Sequence, residues 1–191
     1  VVSIYLLLTG LFLWVFPGET NVFDAGQASL ESFFVLAPWV LMIVVPAITM
    51  RSFSEEYRTG TMELLATKPI SPLGIVVAKF AGAFSVLVFA LLPTLLFIPI
   101  IGWLGQPMWN FDAGALKGSY IGLILISAAF TSVGVAVSAC SRNPLVAYLA
   151  TMVLLVFGFI GFTALASFDW LGAYDLLFGQ IGMSVHYQAM S

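Results

Sequence analysis

Long apolar stretches alternate with short polar ones along this chain, and the alternation predicts helices that cross a membrane. A spanning helix needs about 20 mostly apolar residues. Uncharged stretches of about that length or longer run over residues 32–50, 80–111, 118–141 and 143–168. With a first apolar run, the pattern predicts five spans, at about 1–16, 33–50, 72–98, 118–140 and 144–166.

Two helix starts are also predicted by the local sequence. Ser71 and Asn143 each precede a proline. A Ser or Asn side chain can accept a hydrogen bond from the first turn of a helix, and proline suits the first helical position because no donor is needed there. We therefore expect spans three and five to begin at Pro72 and Pro144.

The composition agrees with a membrane protein. Hydrophobic residues make up 61% of the chain and charged residues 8%, and the mean hydropathy is +1.09; about 25% of the residues of a soluble domain are charged. No soluble stretch is long enough for an enzyme domain, and no basic cluster suits a nucleic acid. Cys140 is the only cysteine, which excludes an internal disulfide and a cysteine metal cluster.

The basic residues predict an orientation, because cytoplasmic loops are enriched in Lys and Arg. Five of the six adjoin the loop between spans two and three or the turn between spans four and five: Arg51, Arg58, Lys68, Lys79 and Arg142. Lys117, at the other end of span four, is the exception. The bias predicts that both connections and the N-terminus lie inside, and that residues 168–191 form an external re-entrant or interfacial segment. On this topology we expect the start of span one and a sixth span to be absent from the chain.

The later spans carry no ionisable chemistry. Spans three to five contain, within their uncharged stretches, no Asp, Glu, Lys, Arg or His. Ion-coupled transporters and proton pumps need such groups at membrane depth, so this mechanism is not expected. Neither a metal site nor a catalytic constellation is expected, and His186 is interpreted as a plain interfacial residue and not as a ligand.

Span four is rich in small residues. Gly118 and Gly122, and Gly134 and Ser138, have the four-residue spacing that lets two helix backbones approach closely. Packing within the chain is the favoured interpretation, and an interface with another subunit is the alternative.

The most polar stretch is residues 51–69, which hold six of the fifteen charged residues. Ser52 and Glu55 have the spacing of a capping box. Apolar or small positions recur there at helical spacing: Phe53, Tyr57, Gly60 and Leu64. The pattern predicts a helix over 52–67, with Gly60 as a bend or a point of close approach. Such a helix either lies on the lipid headgroups or docks into a partner; its mixture of acidic and basic side chains favours docking, because surface-lying helices are usually rich in Lys and Arg.

The order of residues in this stretch is also recognisable. The run Glu55-Glu56-x-Arg58-x-Gly60-Thr61-x-Glu63-Leu64-Leu65, followed by Pro69, resembles the segment after the second span in permeases of the ABC-2 transporter family. Over a wider stretch, the chain is similar to gliding-motility-associated permeases of that family. The similar stretch is TGLFLWVFPGETNVFDAG and then APWVLMIVVPAITMRSFSEEYRTGTMELLATKPIS.

The resemblance implies an all-α integral membrane protein, a type V exporter-like transmembrane domain with five visible spans of an expected six. It implies a multi-pass permease of the bacterial inner membrane that pairs with a second copy or a paralogue in the lipid bilayer. The partner would be a cytoplasmic ABC ATPase that binds ATP and Mg, while the permease binds no cofactor itself. Residues 52–67 would be the coupling helix, with these docking residues: Phe53, Glu55, Glu56, Tyr57, Arg58, Gly60, Thr61, Glu63 and Leu64.

Two hypotheses from different classes follow. The first is the membrane subunit of an ATP-driven exporter; the chain has no phosphate loop of the form GxxxxGK followed by Ser or Thr, so another subunit would hydrolyse the ATP. The second is a non-transporting membrane anchor that recruits a soluble partner through the same helix.

Overall fold

The computed structural model describes residues 1–18, 21–23, 29–67, 69–105, 108, 113–161, 164 and 182–189. Its α-helices are α1 (Val2–Trp14), α2 (Glu31–Thr49), α3 (Ser54–Thr59), α4 (Thr61–Ala66), α5 (Pro72–Leu91), α6 (Phe97–Leu104), α7 (Ala113–Cys140), α8 (Pro144–Val156) and α9 (Met183–Gln188). A 3₁₀ turn, Leu92–Leu96, joins α5 to α6, and a π-helical turn, Phe157–Gly161, continues α8. The described residues contain no strand.

Four helical segments are long and apolar enough to cross a membrane, and α1 is a shorter apolar helix. The four are Glu31–Thr59, Pro72–Leu104, Ala113–Cys140 and Pro144–Gly161. The 28 residues of α7 extend about 42 Å at 1.5 Å per residue, more than the hydrocarbon thickness of about 30 Å. The predicted fold class, an all-α integral membrane protein, is therefore confirmed.

The third span is longer than its predicted range of 72–98. Pro93 has no backbone N–H, so it cannot complete the hydrogen bond to the carbonyl four residues earlier. The chain tightens into the 3₁₀ turn at this point and then continues as α6 to Leu104. Pro93 therefore changes the helix type locally without ending the span.

Both predicted helix starts are present in the structure. The Ser71 hydroxyl accepts a hydrogen bond from the Gly74 amide at 3.1 Å, and Asn143 Oδ1 accepts one from the Leu145 amide at 2.9 Å. In each case proline is the first helical residue. The starts of α5 and α8 lie at the same end of the bundle as the end of α2, because Lys79 near the start of α5 pairs with Glu56 and Asn143 lines a cleft with Met50.

The second span is the centre of the bundle. Its most apolar stretch is 61% buried, against 28% for the α5–α6 span and 22% for α8. It packs against α1, α5, α7 and α8, and Phe33, Leu41 and Val45 on α2 are fully buried. The outer faces of α5 and α8 are therefore the surfaces that the bundle leaves for lipid or for another subunit.

Hydroxyl groups in the core bond mainly to their own helices. Thr9 donates to the Tyr5 carbonyl at 2.8 Å, and Thr131 donates to the Ser127 carbonyl at 2.7 Å. Thr151 makes the same kind of bond at 2.7 Å. Such bonds satisfy a polar group where no water is present. Ser138 on α7 differs, because its hydroxyl bonds to residues outside its own helix; it belongs to the functional site.

The last described helix is held at the opposite end of the bundle. Tyr187 on α9 is buried, and its hydroxyl donates to the Phe34 carbonyl near the start of α2 at 2.8 Å. His186 is exposed on the same helix. The remainder of the predicted external segment, 168–181 and 190–191, lies outside the described residues.

Candidate functional site

The predicted helix over 52–67 is divided into two short helices in the structure. We call residues 51–67 the charged segment. Its helices α3 and α4 meet at Gly60, whose φ of 72° lies in the left-handed region. A Cβ atom added at Gly60 would meet nothing within 4 Å. Gly60 is therefore present for a bend and not for a close approach by another backbone.

The break also changes which side chains share a face. Phe53 is 4% exposed and Tyr57 is 38% exposed, although the sequence places both on one apolar stripe. Phe53 precedes α3 in a non-helical conformation, with φ −121° and ψ −35°, so the helical spacing does not extend back to it. Leu64 lies on α4, beyond the bend.

The first amides of α3 bond to a serine from another span. Ser138 on α7 accepts hydrogen bonds through Oγ from the Phe53 amide at 3.0 Å and the Ser54 amide at 3.2 Å, and donates to the Met50 carbonyl at 3.1 Å. One hydroxyl can accept two bonds and donate one. The helix begins at Ser54 with no cap from a nearby side chain, so the predicted capping box with Ser52 does not form. Ser138 takes the place of a cap although it lies 84 residues away from Ser54 in the chain.

A second residue of α7 explains how Ser138 comes so near. Gly134, one turn earlier, is buried against Thr49 at the end of α2. A Cβ atom on Gly134 would lie 2.2 Å from Thr49 Oγ1, too close for any side chain. The four-residue spacing of Gly134 and Ser138 thus serves a contact within the chain. Gly122 is buried on the same helix, and Gly118 is partly buried near its start.

The two neighbouring acidic residues of α3 have different surroundings. Glu56 Oε1 forms an ion pair with Lys79 Nζ of α5, and both side chains are largely buried, at 23% and 29% exposed. The same ammonium group lies 5.7 Å from the centre of the Phe53 ring, within the range of a cation–π interaction. Glu56 therefore ties α3 to the third span and does not face outward.

Glu55 belongs to the outer surface of the charged segment. It pairs with Arg58, one turn later, at 2.5 Å, and the Arg58 side chain is 61% exposed. An exposed pair of this kind contributes little to stability because water competes for both charges. Neighbouring residues of the segment are exposed too: Tyr57, Thr59, Gly60, Thr61 and Glu63. Together they form the surface that a partner could reach.

Replacing Gly60 with alanine should destabilise the bend. A left-handed conformation costs a residue with a Cβ about 1–2 kcal/mol. Amides of α3 and α4 should then exchange with deuterium about 5–30-fold faster. Gly82→Ala is the control, because Gly82 lies inside α5 with a similarly open surrounding. Equal exchange in the two variants would contradict the role assigned to Gly60.

Comparison with known proteins matches most of the chain to a protein family. A family model described as ABC-2 family transporter protein matches residues 4–178. The matched range contains α2 to α8 and most of α1. No curated protein and no solved structure matches the chain.

Proposed function

The chain belongs to the ABC-2 family of transporter membrane proteins, and from this we propose that it is the permease subunit of an ATP-driven exporter whose charged segment receives the movement of a separate ATPase. The family assignment supports a permease subunit in a multi-pass membrane protein. The export direction, the docked ATPase and a bacterial inner membrane are parts of the proposal. So is a second permease copy or paralogue.

The observation that carries the proposal is how the charged segment is held. Its base is tied to three spans: it continues α2, it bonds to α7 through Ser138, and it pairs with α5 through Lys79. Its outer surface, from Tyr57 to Glu63, has no comparable support. A force applied to that surface would therefore move the ends of three spans together, as a coupling element requires.

The charges of the outer surface suit a protein partner. Arg58 and Glu63 place opposite charges on neighbouring short helices, and Tyr57 adds an exposed aromatic ring beside Arg58 on α3. Tyrosine and arginine are enriched where proteins bind each other. We propose that this surface fits a groove of the ATPase, which would hold the ATP and Mg. A role in gliding motility is a further part of the proposal, and it is supported by the sequence resemblance alone.

The test is a double substitution at two outward residues, Tyr57→Ala and Glu63→Arg. Neither side chain forms a hydrogen bond, ion pair or ring contact within the part of the chain that the structure describes, so folding should be unaffected. Loss of one aromatic anchor and reversal of one charge should weaken binding of the ATPase at least about tenfold, since each anchor residue contributes about 1–2 kcal/mol or more. Binding is measured by titration with an ABC ATPase that co-purifies with the unmodified protein.

The matched control reverses a charge at the opposite end of the bundle. Lys117→Glu changes an exposed residue near the start of α7, far from the charged segment. It should leave ATPase binding unchanged. Equal binding by the double variant and the unmodified protein would refute docking through this surface. Recovery of a partner without ATPase activity would favour the membrane-anchor hypothesis.

A further inference from the structure

A cleft opens at the base of the charged segment. It lies between the start of α3 and the turn that joins α7 to α8, and its volume is about 300 Å³. Its lining includes Arg51, Glu55, Arg58, Asn143, Pro144 and Leu145. Of these residues, the ATPase-docking proposal uses Arg58 and its ion-pair partner Glu55, and it leaves the rest of the lining unassigned.

The charge of the cleft is positive. Arg58 is paired with Glu55, whereas Arg51 has no ion pair among the residues that the structure describes. Arg142 is exposed on the adjoining turn and adds a third guanidinium group nearby. Guanidinium groups bind phosphate through two parallel hydrogen bonds, which makes them suited to a phosphate monoanion.

An apolar stripe begins at the same cleft. Leu145 lines the cleft and is 64% exposed, and Leu149 and Val153 follow along α8 at four-residue spacing with 54% and 66% exposed. Residues four apart lie on one face of a helix. The stripe therefore runs from the cleft toward the middle of the membrane, along the least buried of the four long spans.

We propose that this cleft binds an anionic phospholipid, with its phosphate at Arg51 and Arg58 and an acyl chain along Leu145, Leu149 and Val153. A basic pocket at the membrane surface concentrates anionic headgroups. A soluble phosphate would use the guanidinium groups but not the stripe, whereas a phospholipid uses both. The lipid would sit directly beneath the charged segment and brace its base against α8.

The experiment measures lipid retention by the purified protein. The protein is released from nanodiscs that contain equal amounts of phosphatidylglycerol and phosphatidylcholine, and bound lipids are counted by native mass spectrometry. Phosphatidylglycerol should be retained in preference, and Arg51→Gln should reduce that preference about fivefold. Lys117→Gln removes one positive charge from the opposite end and should leave the preference unchanged. Equal loss in the two variants would overturn the proposal, because it would show a general effect of net charge.

Two further arms separate the lipid from other occupants. Leu149→Gln should lower retention of phosphatidylglycerol, while inorganic phosphate at millimolar concentration should not displace the lipid from the unmodified protein. Displacement by phosphate, together with no effect of Leu149→Gln, would show a free-anion site and overturn the lipid assignment. Disulfide-linked dimers formed through Leu149→Cys in a Cys140→Ser background would show that a second copy covers the stripe, which would also overturn it.

Discussion

Gly134→Ala should destabilise the protein by about 1–3 kcal/mol, the usual cost of forcing an extra group into a packed core. The new Cβ would lie 2.2 Å from Thr49 Oγ1 and 2.9 Å from Thr49 Cβ. Thr49 cannot easily yield, because it is fully buried and its hydroxyl donates to the Val45 carbonyl of its own helix at 2.9 Å. The helices α2 and α7 must therefore separate, which a lower thermal unfolding temperature in detergent would report.

The same substitution at Gly82 provides a matched comparison. A Cβ atom at Gly82 would meet nothing within 4 Å, and the residue lies inside α5. Alanine is the better helix former by about 1 kcal/mol, so Gly82→Ala should not lower stability. Opposite outcomes at the two glycines would locate the effect in the Thr49 contact. A Gly134→Ala protein as stable as the Gly82→Ala protein would show that α2 and α7 can part without cost.

A double substitution tests the partner directly. Thr49→Ala removes the atom nearest to the new Cβ, so Gly134→Ala should cost less in that background than in the original chain. The difference between the two costs is the coupling energy of residues in contact. Additive effects would contradict the direct contact.

Ser138→Ala should release the base of the charged segment and, under the proposed function, uncouple transport from ATP hydrolysis. The amides of Phe53 and Ser54 lose their shared acceptor, and an unpaired buried donor costs about 1–3 kcal/mol. These two amides should exchange with deuterium faster, whereas amides in the middle of α2 should not change. With the ATPase bound, ATP hydrolysis should continue while transport falls, because the force no longer passes from α3 to α7.

Ser132→Ala is the control for the loss of a hydroxyl from the same helix. Ser132 is exposed, and its hydroxyl donates to the Ala129 carbonyl within α7 at 2.7 Å. Its removal breaks no bond between helices, so exchange at residues 53 and 54 should be unchanged. If Ser138→Ala behaved like Ser132→Ala in exchange and in transport, the structural link between α3 and α7 would not carry coupling.

The charged segment shows how far sequence reasoning extends into the site. The concentration of charge marks residues 51–69 as the polar connection after the second span, and the sequence leaves Gly60 as either a bend or a point of close approach. The left-handed φ of Gly60 and its open surroundings then decide for the bend. The neighbours Glu55 and Glu56 are indistinguishable by type and spacing. One faces out to Arg58 and the other faces in to Lys79, because the direction of each side chain depends on where α5 lies. No local pattern in the sequence predicts the position of α5 relative to α3.

The sequence by itself determined the membrane class, the long apolar spans and the proline starts of α5 and α8. These features depend on residues close together in the chain: apolar runs long enough for a bilayer, and a side chain that caps its own helix. The tertiary structure decided that Ser138 accepts hydrogen bonds from the amides at the start of α3, and that Thr49 packs directly against Gly134. A hydroxyl can bond to any free amide within reach, and the packing of α7 against α2 determines which amides those are.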